Sequence, residues 1–332
     1  MNRPDVSVII PVFNAAQFVL ASVSSVLDHT QASLEVICVD DGSTDSSGRV
    51  LEQLAASDGR VSVIRLAFNQ GVSSARNAGI ERSTGTYVRF LDADDTLPPG
   101  ALDLLLAAAQ STSADLAIGG VLGLEGPADA PGTMAQGIGG PVVTTNIHES
   151  AWLRSVPGHH GGNLYRRQLL QQHQIRFDTD LILGEDQVFQ ATAMVAANNV
   201  ALIRDDVYFY HRYRDASVTN RLPSLRSLSD DLEWRRRIAK LFSSRGLREA
   251  GLDQHRNWSW SIRQYWLKIP AAFSLEQASA FFSLFRSMSA EFGVVPWNAS
   301  TPADHRRLLE MIVSGQDQQA YAFLATDEAR LA

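Results

Sequence analysis

The chain has 332 residues, 45% hydrophobic and 20% charged, a composition that fits a folded globular protein and excludes a disordered or collagen-like one. Its formal net charge of −7 argues against broad electrostatic binding of nucleic acid. All but two of the 29 basic residues, Lys240 and Lys268, are arginine, so an anion would meet guanidinium forks or backbone amides, and no Walker A motif occurs.

The first residues lack the basic and apolar regions of a secretory signal, and the longest uncharged stretch, 131–147, is too rich in Gly, Thr and Asn for a membrane helix. A soluble or peripheral protein is expected. Its single cysteine, Cys38, lies in the apolar run 34–39 and reads as a small buried hydrophobe in a reducing compartment.

From Val6 to Gly119 short β-branched runs alternate with amphipathic segments, the pattern of βαβ units around a mainly parallel sheet. Strands are expected at 6–12, 34–39, 61–66, 86–91 and 115–118, and helices at 15–27, 46–56, 72–82 and 100–110, with Asn14, Asp45 and Gly71 as their N-terminal caps. Ligands of such folds gather at the carboxyl ends of the strands. Residues 122–146, rich in Gly, Pro and Ala, read as a long loop. Residues 163–197 read as mostly helical with an irregular insert at 176–184, and 200–210 as a strand or hairpin. Beyond Pro223 helices are expected at 227–244, 252–268, 275–289 and 303–313. The chain thus divides into an α/β domain, 1–220, and a helical C-terminal domain, 221–332.

Asp92-Ala93-Asp94-Asp95 follows the apolar strand directly. Carboxylates at a strand end repel one another in the ligand crevice unless a cation lies between them, so a divalent ion bridging to a diphosphate is one reading and a helix cap the other. Val39-Asp40-Asp41-Gly42-Ser43-Thr44-Asp45 is a second acidic turn, suited either to plain turn formation or to a nucleotide's ribose or base N–H. The segment from Asn69-Gln70-Gly71 to Ala75-Arg76-Asn77-Ala78-Gly79 opens a helix with small residues that a ligand could approach closely.

Together with Val8-Ile9-Ile10-Pro11-Val12-Phe13-Asn14, these motifs, in this order and spacing, resemble the family 2 glycosyltransferases of GT-A fold. The resemblance is strong over residues 5–110, looser to about 218, and absent beyond Pro223. It implies a Rossmann-like, mainly parallel mixed sheet with helices on both faces. It also implies that Asp92 contacts the donor ribose or the metal, that Asp94 ligates Mn²⁺ or Mg²⁺, that Asp41 holds the uracil or ribose, and that Pro11 and Phe13 shape the base pocket, with Asn69 and Arg76 on the donor side. Asp95 either assists Asp94 or caps a helix, and the cap is the favoured reading. Leu183-Gly184-Glu185-Asp186-Gln187 is similar to the family's Glu-Asp element, which makes Asp186 the general base and Glu185 its local rival.

Gly158-His159-His160-Gly161-Gly162-Asn163 stands where relatives have a small-residue loop near the donor sugar, with Gly161, Gly162 and Asn163 as the contact residues. Adjacent histidines point in different directions and no cysteine accompanies them, so zinc is not expected there. In Tyr208-Phe209-Tyr210-His211-Arg212-Tyr213-Arg214 the resemblance makes His211 a candidate metal ligand and Arg212 or Arg214 a diphosphate contact; packing at a strand end is the alternative for His211. The tail holds Trp234, Trp258, Trp260, Trp266 and Trp297 among arginines, a pattern of an interfacial membrane helix or of a bundle or oligomer contact. Acidic residues interspersed among the cations favour the bundle or oligomer.

The expected activity is therefore metal-dependent, inverting transfer of a hexose or N-acetylhexosamine from a nucleoside diphosphate, UDP above all, to a saccharide or lipid-linked saccharide hydroxyl. Capsule, exopolysaccharide or lipopolysaccharide synthesis at the cytoplasmic face of a membrane is the context that the resemblance suggests. A sugar-1-phosphate nucleotidyltransferase should carry a Gly-rich basic loop after its first strand, where this chain has Pro11-Val12-Phe13-Asn14. An inactive donor-binding scaffold of the same fold is the non-enzyme alternative.

Overall fold

The computed structural model describes residues 3–124, 143–149, 160–211, 223–250, 261–262, 265–293, 296–299 and 301–326. Two compact units are present, Met1–Thr179 with Glu185–Tyr213, and Asp180–Gly184 with Arg214–Ala332. The expected boundary at 220 falls among residues outside the described ones.

The first unit is built on one eight-stranded sheet. Its strands are β1 (Val6–Val12), β2 (Leu34–Asp40), β3 (Val61–Arg65), β4 (Tyr87–Phe90), β5 (Leu116–Leu124), β6 (Val143–Thr145), β7 (Asn163–Arg166) and β8 (Val200–His211), in the spatial order β3-β2-β1-β4-β7-β5-β8-β6. The first four are mutually parallel, β5 and β8 pair in parallel, and β7 and β6 run antiparallel to their neighbours. In β1 the alternation Val6, Val8, Ile10, Val12 faces a core filled from α1 (Val19–Leu27), α2 (Ser47–Ser57) and α4 (Ala101–Ser111). Ile9 points the other way, against α3 (Val72–Arg82), where Gly79 lies so close that any Cβ would overlap the Ile9 side chain. Helices on both faces explain why the parallel strands are apolar on both.

The expected strands and first four helices are present with small shifts at their ends. Asn14 does not cap α1. It sits at φ 48° and its Oδ1 accepts from Thr44 N and Asp45 N at 2.8 and 3.3 Å, which ties the end of β1 to the acidic turn after β2. Asp45 precedes the actual cap, Ser46, although its carboxylate does accept from Ser47 N at 2.9 Å, while Gly71 caps α3 at φ 89° as expected. Residues 163–166, read as helical, form β7 instead, because their amides and carbonyls complete the sheet between β4 and β5. In the expected loop, β5 runs on to Leu124 and 143–145 form β6; residues 125–142 lie outside the described ones.

The second unit packs helices Leu225–Ser244, Ile269–Ala272, Leu275–Phe292, Ala303–Val313 and Asp317–Thr326 around Trp266, Phe281, Phe282 and Phe285. The last of these helices was not expected from the sequence, and most of the expected helix 252–268 lies outside the described residues, as do Trp258 and Trp260. Trp234 and Trp266 are buried, as a bundle requires, and among the described residues no helix is long and apolar enough to cross a membrane.

Candidate active site

Two acidic motifs of the first unit follow the carboxyl ends of the parallel strands β2 and β4. At the end of β2, Asp41 is buried and both its carboxylate oxygens accept from the loop before α3, Gln70 N at 2.7 Å and Gly71 N at 2.9 Å. Gly42 turns the chain at φ +69°, and a Cβ there would lie 2.6 Å from the Phe68 carbonyl carbon. The second and third motifs are thereby one joined structure. Asp40 accepts from Ser43 N at 3.0 Å and serves the turn itself. Pro11 is buried within β1, whereas Phe13 just beyond it is 47% exposed and Phe68 is 67% exposed, two aromatic faces turned to solvent beside the Asp41 turn; Asn69 is exposed between them and the helix.

The residues after β4 divide by role. Asp95 is no helix cap: it is 1% exposed, accepts from the Tyr208 hydroxyl at 2.6 Å and from His211 N at 2.8 Å, and so bolts the acidic turn to β8. Burial, with repulsion from Asp92 and Asp94, pushes its carboxyl up to about 8. The proton it keeps spares the turn a further negative charge beside Asp92 and Asp94. Asp94 is half-buried. His211 has its Nε2 3.2 Å from Thr96 Oγ1, on the strand that holds Asp95. Among the described residues no group of three or more His, Cys, Asp or Glu is arranged to hold a metal ion. Arg212 and Arg214 lie outside the described residues.

Asp92 faces the other way, into a charged cluster. Its Oδ1 accepts from Arg76 Nη2 at 2.8 Å, and Arg76 Nη1 donates to Glu185 Oε1 at 3.0 Å. Arg76 is 3% exposed, so it stands behind the acidic motif and not on an open donor face. Burial would raise the Asp92 pKa, but Arg76 and then His160 outweigh it and hold the carboxyl far below the usual range. Glu185 is raised by burial and by Asp186 despite Arg76. His160 Nε2 lies 3.6 Å from Asp92 Oδ1 and its Nδ1 lies 3.8 Å from Asp186 Oδ2. Burial and Arg76 depress that imidazole, and Asp92 and Asp186 more than compensate, leaving it above its ordinary value.

Aromatic packing sets this geometry. Asn77 exchanges hydrogen bonds with the backbone of Phe177, at 2.8 and 2.9 Å, which pins the irregular segment to α3. Phe177 lies under the Arg76 guanidinium and stacks on Phe189, 4.0 Å between centroids and 4° between planes. Phe189 belongs to the helix Glu185–Ala196, so the stack fixes the first turn that carries Glu185 and Asp186. Phe90 closes the box edge-on to both rings.

Gly161, Gly162 and Asn163 are buried, and packing accounts for their small size: a Cβ on Gly161 would overlap the Tyr208 ring and one on Gly162 would sit 2.8 Å from Gly119 O. Asn163 Nδ2 donates to the Tyr165 hydroxyl at 2.9 Å. His159 lies outside the described residues. Sequence reasoning missed Arg76 as a link between two acidic motifs, His160 as their second link and Tyr208 as the partner of Asp95. An arginine in the first turns of a helix otherwise made of small residues was the available signal; for His160 none existed, since its partners lie 68 and 26 residues away in sequence.

The family model described as glycosyl transferase family 2 matches residues 7–173. An uncharacterized glycosyltransferase of Bacillus subtilis, EpsJ, is 32% identical over 214 residues, which is 62% of this chain and 61% of that protein. The succinoglycan biosynthesis protein ExoO of Rhizobium meliloti is 30% identical over 223 residues, 65% of this chain and 63% of that one. The chain thus spans somewhat less than two thirds of these relatives. Among solved structures, S. aureus TarS 1–349 superposes with a TM-score of 0.73 at 20% identity, covering 98% of this chain and 92% of that one. The same protein in complex with UDP superposes at 0.70 over the same shares. At that identity the likeness shows a shared fold.

Proposed function

Because the chain belongs to glycosyl transferase family 2, we propose that it moves a hexose or N-acetylhexosamine, with inversion, from a UDP-sugar to a hydroxyl of a saccharide or lipid-linked saccharide acceptor, in the synthesis of a cell-surface polysaccharide. One observation carries the reading: a carboxylate at the strand end, Asp92, and one at a helix start, Asp186, lie on either side of the buried His160 imidazole, while the buried Arg76 ties Asp92 to the neighbouring Glu185. An inverting transfer needs this division, with the donor held on one side and a base for the acceptor on the other.

In the proposed reaction Asp186 accepts the proton of the attacking hydroxyl, the acceptor oxygen bonds to the anomeric carbon, and the bond from that carbon to the diphosphate oxygen breaks, releasing UDP. Phe13 and Pro11 border the base, Asp41 keeps lone pairs free of its two backbone bonds for a base N–H or ribose hydroxyl, and Asn69 lies at the same rim. Asp94 and His211 would hold Mn²⁺ or Mg²⁺, whose service when bound is to neutralise the diphosphate. The repulsion that raises Asp95 fits a site made for a cation, whose remaining ligands would be diphosphate oxygens and water. Complexes of the structural neighbour TarS with UDP and with UDP-GlcNAc support the choice of donor.

Calorimetry with UDP, GDP, CDP and TDP, each with Mn²⁺, Mg²⁺ or EDTA, tests this on the wild type and Asp94→Ala. Metal-dependent binding of UDP that Asp94→Ala abolishes is expected. Binding without turnover of any UDP-sugar would favour the inactive scaffold, and no nucleotide binding at all would refute the assignment.

A further inference from the structure

We propose that His160 is a positioning residue for the transfer: its imidazole spans the donor-side carboxylate of Asp92 and the acceptor-side carboxylate of Asp186, and aims Asp186 at the incoming hydroxyl. The proposal rests on Asp186 being the base.

A polar ring in an aromatic box is costly unless its nitrogens are engaged. His160 is 3% exposed and packs edge-on to Phe90 and Phe177, with centroids 6.1 and 6.2 Å away, a place where phenylalanine would fit more cheaply. Its two nitrogens point at carboxylates from different motifs, Nε2 at Asp92 and Nδ1 at Asp186. These contacts, 3.6 and 3.8 Å, are ion-pair distances of the kind that shorten when a substrate closes the site.

Both ends of the arrangement are anchored. The backbone that carries His160 is held by Gly161, whose carbonyl accepts from the buried Arg89 at 3.1 Å and whose missing side chain leaves room for Tyr208. On the other side, Asp186 Oδ1 accepts from Gln187 N at 2.8 Å while Oδ2 faces the imidazole. With one oxygen bonded to the helix start and the other turned to His160, the carboxylate has a defined direction. The neighbouring carboxylate, Glu185, has Arg76 as its hydrogen-bonded partner at 3.0 Å.

The test uses the full chain and the UDP-sugar whose UDP release is fastest. His160→Phe keeps the ring volume and removes both nitrogens; a misdirected base should lower kcat by roughly tenfold to a hundredfold, more than it raises donor KM. His160→Gln restores a donor and should recover part of the loss. In an Asp186→Asn background His160→Phe should cost almost nothing more, because the residue it acts through is gone. Wild-type turnover in His160→Phe, or losses that multiply in the double variant, overturns the proposal. Indifference of turnover to Asp186→Asn alone would instead overturn the assignment of the base. A readout independent of turnover is the imidazole ¹⁵N shift of His160, identified by its loss in His160→Gln. It should move on Asp186→Asn, and an unmoved signal refutes the contact.

Discussion

Arg76→Met removes one cation from beneath two acidic motifs while keeping an unbranched side chain against Phe177. The native guanidinium is 3% exposed, donates to Asp92 at 2.8 Å and to Glu185 at 3.0 Å, and lies 5.0 Å from the Phe177 centroid. Taking away one partner of a buried ion pair strands the other charge and costs about 3–5 kcal/mol. Here two carboxylates are stranded, so the upper part of that range applies. A loss of about 4 kcal/mol should lower the unfolding temperature of a unit this size by roughly 8–16 °C. The pH dependence has a definite sign. Asp92 is held below its unfolded pKa of about 3.9, so its contribution is present above that pH and lost as pH falls toward the folded value. Without Arg76 that contribution is largely absent, so wild type and variant should converge on acidification. Thermal and urea unfolding followed by circular dichroism at pH 7 and at about pH 2, below the unfolded carboxylate value, measures both. A variant within about 1 kcal/mol of wild type at pH 7, or a gap independent of pH, would refute the reasoning.

Asp95 carries a raised carboxyl pKa, so the folded chain holds a proton that the unfolded chain has released, and stability in EDTA should fall as pH rises from about 4 toward 8. Asp95→Asn should flatten that slope, and an unchanged profile would mean the group titrates normally. In Gly42→Ala the new methyl group would press on the Phe68 and Asn69 backbone at 2.6–2.8 Å from a left-handed conformation, so UDP affinity in calorimetry should fall at least about tenfold as the Asp41 clasp opens. An affinity equal to wild type would show that the loop does not touch the nucleotide. Cys38 is 0% exposed with its thiol pushed up to about 12 by burial, so an aromatic disulfide reagent should leave it unmodified until urea unfolds the first unit.

The parallel half of the sheet was legible because its strands are short runs rich in β-branched and apolar residues that alternate with helical segments. Strand β7 was not, because four residues, Asn-Leu-Tyr-Arg, followed at once by a helix, carry no alternation that sequence alone can separate from the helix; their assignment is made by pairing with β4 and β5. The acidic positions themselves stood out as turns rich in aspartate. What each carboxylate touches did not: Asp95 reads as a cap until β8 brings Tyr208 across 113 residues, and Arg76 reads as a donor-side residue until Phe177 and Glu185 close over it. Composition reports which charges are available, and only long-range packing decides which of them are stranded, paired or protonated.

The five residues Asp180–Gly184 belong with the helical unit although the chain before and after them belongs to the sheet. Leu181 is buried, Ile182 N–H donates to Asp230 at 2.9 Å, and Gly184, at φ +80°, fits beneath the Trp234 indole where any side chain would collide. For protein engineering this means the tail is not a cassette that can be cut at residue 220 and exchanged. A chimera joined there would present a foreign helix to these five residues, and the mismatch would be felt by the next two positions in the chain, Glu185 and Asp186. Grafts that carry 180–184 along with the tail keep that fit.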